Sequence, residues 1–410
     1  MINRTRSAFA EAQAQLQQGL EGIKKLPESP ERTARELELA RLLAEVLMVT
    51  RGWTAPEVRA AAERARDLAE KGGNLAQLVV QVFGIWRNAA VSADYSTAAL
   101  LADRILDLAR REGSPASFAL AYDAQLGASW YRGDLAGAEE HFGRLSGCLD
   151  ADGFRQVPGA VVHAISVASL CAAALGRADL ASERIAQAIA FARNSNNPYE
   201  LAAGRSFESF LYCLLRQPQR AELAATQALA IAEEYGFSYL RNMARATLGW
   251  AWGQLGRASE GVELTRQGLA GLDEAGGRVA ITANLMFLAE AQALDGKLGD
   301  AIITIEAALQ ANPEEPAFRP NTLTCRGDLR FKLGQAEQAE ADFREAIALS
   351  QKMRAKGWEL RATTSLARLL ASQGGRSEAR TMLADIYNWF TEGFDTADLI
   401  DAKILLDRLA

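Results

Sequence analysis

The sequence predicts an all-α fold, an α-α superhelix of about nine helical hairpins with flanking helices. Three observations predict it: a composition rich in helix formers, a turn pattern that recurs at intervals near 40 residues, and a small residue at a fixed distance before each turn. Proline is scarce at 10 of 410 residues, and 49% hydrophobic residues suffice to bury a continuous core. A repeat array reaches this length without dividing into globular domains, because each unit packs only on its neighbours.

The turn pattern is a turn residue followed five positions later by a small residue that opens the next helix. Its first members lie between 38 and 43 residues apart, a period typical of helical hairpin arrays. Weaker copies occur upstream at Ala93…Ala98 and Gly52…Glu57. The clear copies are Gly133…Ala138, Gly176…Ala181, Arg216…Ala221, Gly256…Gly261, Gly296…Ala301, Gly334…Ala339 and Gly374…Ala379.

A small residue also stands seven positions before the turn residue in six consecutive units. Two antiparallel helices approach closely only where the facing side chains are small, so we expect this position to mark the contact between the two helices of a hairpin. The residues are Ser169, Ser209, Gly249, Ala289, Gly327 and Ala367.

The pattern places the elements in order along the chain. We expect an opening helix and turn over 1–30, with the helix at roughly 3–25, then the repeats over 31–390 and a C-terminal capping helix within 391–410. Because the opening helix has no partner in this scheme, we expect the chain to be the downstream part of something longer. The predicted hairpins cover roughly 31–71, 76–112, 115–149, 158–194, 198–235, 238–275, 279–312, 317–353 and 356–390.

Two groups of motifs resemble known repeats. The segment 248–256, Leu-Gly-Trp followed by Leu-Gly, and the spacing of Ala339, Phe343 and Ala346 resemble the tetratricopeptide repeat, although the units here run near 40 residues and not about 34. The segments 356–369 and 386–399 resemble the C-terminal end of bacterial proteins that join a class III adenylate/guanylate cyclase, a STAND-like ATPase and a tetratricopeptide arm. That resemblance implies a sensor arm, and neither the cyclase nor the ATPase part is in this sequence.

The sequence offers little for chemistry. It has no phosphate-binding loop, no HExxH and no GxSxG motif, and only two histidines, so we predict no catalytic residue, no cofactor and no metal. A net charge of −6 without a basic stripe disfavours nucleic acid as a partner. No apolar stretch of about 18 residues occurs, which disfavours a membrane. Four scattered cysteines indicate a reducing compartment, and we expect the cytoplasm.

The candidate site is a surface. Counting 13, 10, 6 and 3 positions back from each turn residue selects a mixed apolar and charged face on the concave side of the superhelix. In the alternative interpretation these side chains fill a tight superhelix and meet no ligand. The selected residues are His163, Phe210, Met243, Trp250, Met286, Glu290, Asn321, Asp328, Phe331, Arg361 and Arg368.

Within that face we expect Trp250 and Phe210 to be exposed anchors, whose replacement by alanine abolishes partner binding and leaves stability unchanged. For His163, packing and ligand contact both remain open. Acidic residues precede basic ones along the face, so it can read the polarity of a partner. The favoured function is a regulatory protein-interaction module that holds a peptide or helix. The alternative is a sensor arm that binds a small molecule or signalling peptide and regulates a cyclase or ATPase.

Overall fold

The computed structural model describes residues 2–410, with side chains from Phe9 onward, and within these residues the protein is helical without a strand. The predicted all-α superhelix is confirmed. A short 3-10 helix, Pro316–Phe318, precedes α17. The helices are α1 (Ile2–Ile23), α2 (Pro30–Arg51), α3 (Pro56–Lys71), α4 (Leu75–Val91), α5 (Tyr95–Glu112), α6 (Pro115–Tyr131), α7 (Leu135–Ser146), α8 (Asp152–Arg155), α9 (Ala160–Ala174), α10 (Ala178–Asn194), α11 (Pro198–Leu214), α12 (Pro218–Tyr235), α13 (Ser238–Gln254), α14 (Ala258–Glu274), α15 (Ile281–Leu294), α16 (Leu298–Ala311), α17 (Arg319–Lys332), α18 (Ala336–Met353), α19 (Lys356–Ser372), α20 (Arg376–Tyr387) and α21 (Ala397–Leu409).

These helices pair into hairpins that we number in chain order. Hairpin 1 is α2–α3, hairpin 2 is α4–α5, and hairpin 3 is α6–α7. Hairpins 4 to 9 follow as α9–α10, α11–α12, α13–α14, α15–α16, α17–α18 and α19–α20. The one-turn helix α8 lies in the connection between hairpins 3 and 4, and α1 and α21 flank the array.

The recurring turn residue is the point where the backbone enters the left-handed region. Each of the seven clear copies has a positive φ, for example 88° at Gly256 and 94° at Gly374. Glycine adopts this conformation without a Cβ penalty, which explains why it fills six of the seven positions. The remaining position is Arg216, which adopts the same conformation with φ 56°.

The small residue before each turn lies where the two helices of a hairpin touch, as predicted. A Cβ added to Gly249 of α13 would stand 2.6 Å from the carbonyl oxygen of Gly261 in α14. Ser169 is fully buried and donates a hydrogen bond of 2.6 Å to the Ala181 carbonyl of the partner helix. Any larger side chain at this position would push the two helices apart.

We therefore expect Gly249→Ala to lower the free energy of unfolding by about 1–3 kcal/mol, because the added methyl group overpacks a backbone contact that cannot yield. Gly84 within α4 is the matched control, since an added Cβ there meets no atom within 4 Å. Gly84→Ala should instead raise stability by up to about 1 kcal/mol through helix propensity. Urea unfolding of both variants checks the pair, and equal effects would contradict the close contact.

The superhelix is tight, because hairpins five apart in the chain touch. In hairpins 1 and 6, α2 packs on α13, and in hairpins 4 and 9, α9 packs on α19. The backbone N–H groups of Arg278 and Val279, which lead into hairpin 7, donate to the Val91 carbonyl of hairpin 2 at 2.8 and 3.0 Å. One superhelical turn thus contains five hairpins, and successive turns pack directly against each other.

Successive turns are also joined through polar links. Glu315, before α17, accepts a hydrogen bond of 2.5 Å from the Tyr95 hydroxyl of hairpin 2. Arg216 of hairpin 5 pairs with Asp398 of α21 at 3.0 Å. No helix of residues 2–410 is both long and apolar enough to cross a bilayer.

Candidate functional site

An aromatic cluster fills the middle of the superhelix, and we call Trp130, Phe210, Trp250, Phe287 and Phe318 the aromatic plug. Ring centroids lie 5.6 Å apart between Phe210 and Phe287 and 5.7 Å apart between Phe210 and Phe318. Trp250 extends the cluster on one side through Phe287, and Trp130 extends it on the other through Phe318, each at 5.7 Å. All five side chains are buried.

The plug separates two cavities inside the superhelix. The C-terminal cavity has a volume of about 220 Å³ and is lined by residues of α13, α15, α17, α19 and α21, with Trp250 as its aromatic wall. The N-terminal cavity has a volume of about 80 Å³ and is lined by residues of α4, α6, α9, α11 and α13, with Trp130, Phe210 and Phe318 among its walls.

The predicted concave face is divided between these cavities. Two predicted residues line neither cavity: Met286 is buried in the core and Phe331 is half-buried against the C-terminal core. His163, Phe210 and Met243 line the N-terminal cavity. Trp250, Glu290, Asn321, Asp328, Arg361 and Arg368 line the C-terminal cavity.

The expectation that Trp250 and Phe210 are exposed anchors is wrong. Their side chains are 1% and 3% exposed, because only five hairpins complete a turn and the inner faces of the helices meet across the narrow axis. Large aromatic side chains fill that space and become core. Trp250 and Phe210 thus agree with the alternative interpretation, in which the concave residues fill a tight superhelix.

His163 is a buried packing residue with one polar partner. Its Nδ1 lies 2.8 Å from Asp123 Oδ1, and its ring packs edge-on against Trp86 with a centroid distance of 5.8 Å. Burial lowers the pKa of His163, and the nearby charge of Arg87 lowers it further. The imidazole is therefore held in its neutral form.

The C-terminal cavity contains both signs of charge, and its three arginines are already paired, whereas Lys332, which also lines the cavity, forms no ion pair with a described residue. Arg361 contacts Asp398 at 2.7 Å, and Arg216 reaches Asp398 and Asp401 at 3.0 and 2.8 Å. Arg368 lies 3.5 Å from Asp401. Asp398 and Asp401, in the first turns of α21, thus pair with the arginines of this cavity, including Arg361 and Arg368 of the predicted concave face.

Sequence reasoning missed Arg216, Asp398 and Asp401 as residues of this cavity. Arg216 carried a signal, since it is the one non-glycine among the clear turn positions. Asp398 and Asp401 are three positions apart and share a helix face, but only the docking of α21 on α19 brings them to the cavity.

The acidic side of the same cavity is unpaired. Within residues 9–410, neither Glu290 nor Asp328 forms an ion pair, and Trp250 Nε1 donates to Glu290 at 2.5 Å. Burial raises the pKa of Glu290, and burial raises the pKa of Asp328 to about 6. Both carboxyl groups would gain from a cation that enters the cavity.

Asn321 presents an unsatisfied amide to this cavity. The residue is 2% exposed, and neither Nδ2 nor Oδ1 has a hydrogen-bond partner. One amide can donate two hydrogen bonds and accept two, so its lack of partners in a buried site calls for a physical explanation.

The described residues offer no grouping of three or more histidine, cysteine, aspartate or glutamate side chains that could hold a metal ion. Cys325 lines the C-terminal cavity, but burial raises the pKa of its thiol well above the ordinary value. A protonated thiol is a poor nucleophile.

Comparison with solved structures confirms the fold as a tetratricopeptide-like solenoid. A Rap protein complexed with competence and sporulation factor superposes with a TM-score of 0.62 at 12% identity, over 93% of this chain and 100% of that chain. The chain has no match among protein-family models or among curated protein sequences.

Two further solved structures are similar to this chain, each with a lower TM-score than the Rap protein and over a smaller share of its own length. NprR in complex with its cognate peptide NprX gives a TM-score of 0.47 at 14% identity, over 70% of this chain and 81% of that chain. A signal-transduction ATPase with a tetratricopeptide repeat sensor from Pyrococcus horikoshii gives 0.45 at 14% identity, over 91% and 54%.

Proposed function

We propose that this protein is a non-catalytic regulatory scaffold that binds an extended peptide in its C-terminal cavity. The observation that carries the proposal is Asn321, whose buried amide lacks partners and lines that cavity. A peptide backbone offers one N–H donor and one C=O acceptor per residue, which are the two complements that an asparagine side chain needs. Binding would remove the cost of a buried unpaired amide, about 1–3 kcal/mol.

Charge supports the same ligand class. Glu290 and Asp328 form no ion pair in the described part of the chain, and the three arginines across the cavity are held by Asp398 and Asp401. Burial raises the pKa of both carboxyl groups, and the charge of Lys332, which also lines the cavity, opposes that rise, but Lys332 pairs with neither. A basic side chain or the amino terminus of a peptide fits the acidic side. Entry of such a cation would lower the pKa of both carboxyl groups and hold them ionised.

Size favours an extended segment over a helix. A volume of about 220 Å³ lies below the range of about 300–1,000 Å³ for small-molecule pockets, and a helix with side chains is about 10–12 Å across. The cavity can hold a short stretch of peptide, with the remainder at its mouth. A Rap protein of the same fold was solved with competence and sporulation factor, which supports ligand capture as a use of this fold.

The proposal predicts that Asn321→Leu weakens peptide binding by about tenfold or more, because two hydrogen bonds to the backbone are lost. A phage-displayed random peptide library would supply the ligand, and calorimetry with the selected synthetic peptide would measure the dissociation constant. Selected sequences should be enriched in lysine or arginine.

Asn284 provides a matched control for this test. It is also a fully buried asparagine with both amide atoms unpartnered, but it lines neither cavity. Asn284→Leu should leave the dissociation constant unchanged. Equal affinity of the selected peptide for wild type and Asn321→Leu would contradict the proposal.

A cyclase or a STAND-like ATPase is the effector that the resemblance of segments 356–369 and 386–399 suggests. In this finer hypothesis, peptide binding changes the pitch of the superhelix and thereby the activity of the effector. A cyclase or ATPase encoded beside this gene would support it, and a neighbourhood without either would count against it.

A further inference from the structure

We propose that the N-terminal cavity is a second binding site, which takes a carboxylate group carried on a short apolar chain, with Arg87 as its anchor. The site lies on the other side of the aromatic plug from Asn321 and uses none of its residues. The proposal is therefore independent of peptide binding in the C-terminal cavity.

Arg87 is a buried cation that forms no ion pair with any described side chain. It is 8% exposed, and its Nη1 has no hydrogen-bond partner. The Trp53 ring covers the face of the guanidinium at 4.9 Å from the ring centroid, which leaves the N–H edge unsatisfied. Among residues 9–410 no carboxylate forms an ion pair with Arg87, although a buried charge normally requires one.

Neither of the nearby carboxylates, Asp123 and Glu200, forms an ion pair with Arg87, and one oxygen of each is engaged elsewhere while the other, Oδ2 or Oε2, has no hydrogen-bond partner. Asp123 Oδ1 contacts the His163 ring at 2.8 Å, and Glu200 Oε1 accepts the Gly159 backbone N–H at 2.6 Å. Burial raises the pKa of Glu200, and the Gly159 hydrogen bond and the charge of Arg87 oppose that rise only in part, so Glu200 has a lowered tendency to supply a negative charge. Because none of these oxygens contacts the guanidinium, Arg87 Nη1 is available to an anion from outside the chain.

The remaining walls define what the anion is attached to. Val91, Leu170 and Phe210 are apolar, and the Tyr199 hydroxyl accepts from Trp53 Nε1 at 3.2 Å and still has its own proton to donate. A volume of about 80 Å³ is roughly half that of a 150 Å³ cavity known to hold benzene. A carboxylate with a short aliphatic chain matches the polarity, and the volume takes the carboxylate and the first carbons while the end of the chain lies at the cavity mouth.

This chemistry has two sources: a free short-chain carboxylic acid, or the C-terminal residue of a peptide that ends in valine or leucine. In both, the guanidinium binds the carboxylate through its fork of N–H donors and the apolar walls enclose the side chain. The experiment separates them with two pairs of probes, isovalerate against isovaleramide, and a short peptide ending in leucine as the free acid against the same peptide as the amide.

Calorimetry on the intact protein tests the site. We expect the acid of one pair to bind at least about tenfold more tightly than its amide, and Arg87→Met to abolish that preference. Arg87→Lys, which keeps the charge and loses the fork, should give an intermediate preference. Asn321→Leu should leave it unchanged, so failure of this site and failure of the peptide site are distinguishable.

The comparison of acid with amide is made on the wild-type protein. It therefore tests the proposal even if an Arg87 variant fails to fold. Preference for isovalerate identifies a free acid, and preference for the peptide acid alone identifies a chain terminus. Equal binding of acid and amide in both pairs, or no heat from either acid at about 10 mM, a concentration that detects millimolar affinity, would overturn the assignment.

Discussion

Phe210→Ala is expected to lower the free energy of unfolding by about 3–5 kcal/mol, the range for removing a buried aromatic ring from a core. Phe210 is 3% exposed and is the member of the aromatic plug that contacts both Phe287 and Phe318. Phe210 lies in hairpin 5, whereas Phe287 lies in hairpin 7 and Phe318 leads into hairpin 8, so loss of the ring weakens contacts between hairpins that are not neighbours in the chain. Urea unfolding followed by circular dichroism measures the change.

Phe394 is the matched control, because it is the same residue type with its side chain 50% exposed. Phe394→Ala should change stability by no more than about 1 kcal/mol, as for most surface substitutions. Wild-type stability of Phe210→Ala would contradict the assignment of the plug as the core of the superhelix. It would instead agree with the sequence-based expectation that Phe210 is exposed.

The second large effect concerns pH and Glu315. This residue is 1% exposed, accepts hydrogen bonds from the Tyr95 hydroxyl and the Ala280 backbone N–H, and has no partner for Oε2. Burial raises the pKa of Glu315 from its ordinary value of 4.5 to about 7, and the hydrogen bonds oppose the rise only in part. Its neutral form is therefore favoured by the folded state.

The sign follows from proton binding. Between pH 4.5 and about 7 the folded state binds the Glu315 proton and the unfolded state releases it, so stability falls as pH rises through this window. The full effect is about 3 kcal/mol, and about 2–3 kcal/mol of it falls between pH 5 and pH 8. Glu315→Gln should match wild type near pH 5 and exceed its stability at pH 8 by that amount.

Urea unfolding of both proteins at the two pH values isolates this residue from every other titrating group. The neighbouring Glu314 is exposed and hydrogen-bonds to Ser96 at 3.0 Å, and Glu314→Gln should change either value by no more than about 0.5 kcal/mol. A constant difference between wild type and Glu315→Gln across the two pH values would show that Glu315 is ionised throughout.

The helices and their pairing could be predicted from the sequence because both are encoded locally. The left-handed turn residue repeats clearly in seven of the nine hairpins and the small contact residue in six, so their positions give most of the hairpins directly. The pitch of the superhelix could not be predicted in this way, because it depends on contacts between distant hairpins, such as Val91 with Val279 and Tyr95 with Glu315. Such contacts leave no periodic signal.

The candidate site divides in the same way. The counting rule selected Glu290, Asn321, Asp328, Arg361 and Arg368, and these residues line one cavity because helical geometry decides which side chains face the axis. It could not tell which of them are paired, because Asp398 comes from a helix outside the repeat. Arg87 escaped the rule as well, since its hairpin precedes the clear copies of the turn pattern.

Amide hydrogen exchange, measured with and without a peptide selected on the intact protein, tests peptide binding in the C-terminal cavity most directly. Slower exchange is expected in α15, α17 and α19 around Glu290, Asn321 and Arg361, with little change on the convex side. Protection confined to the outer groove between α18 and α20, near Arg344 and Met382, would place the ligand elsewhere and contradict the proposal.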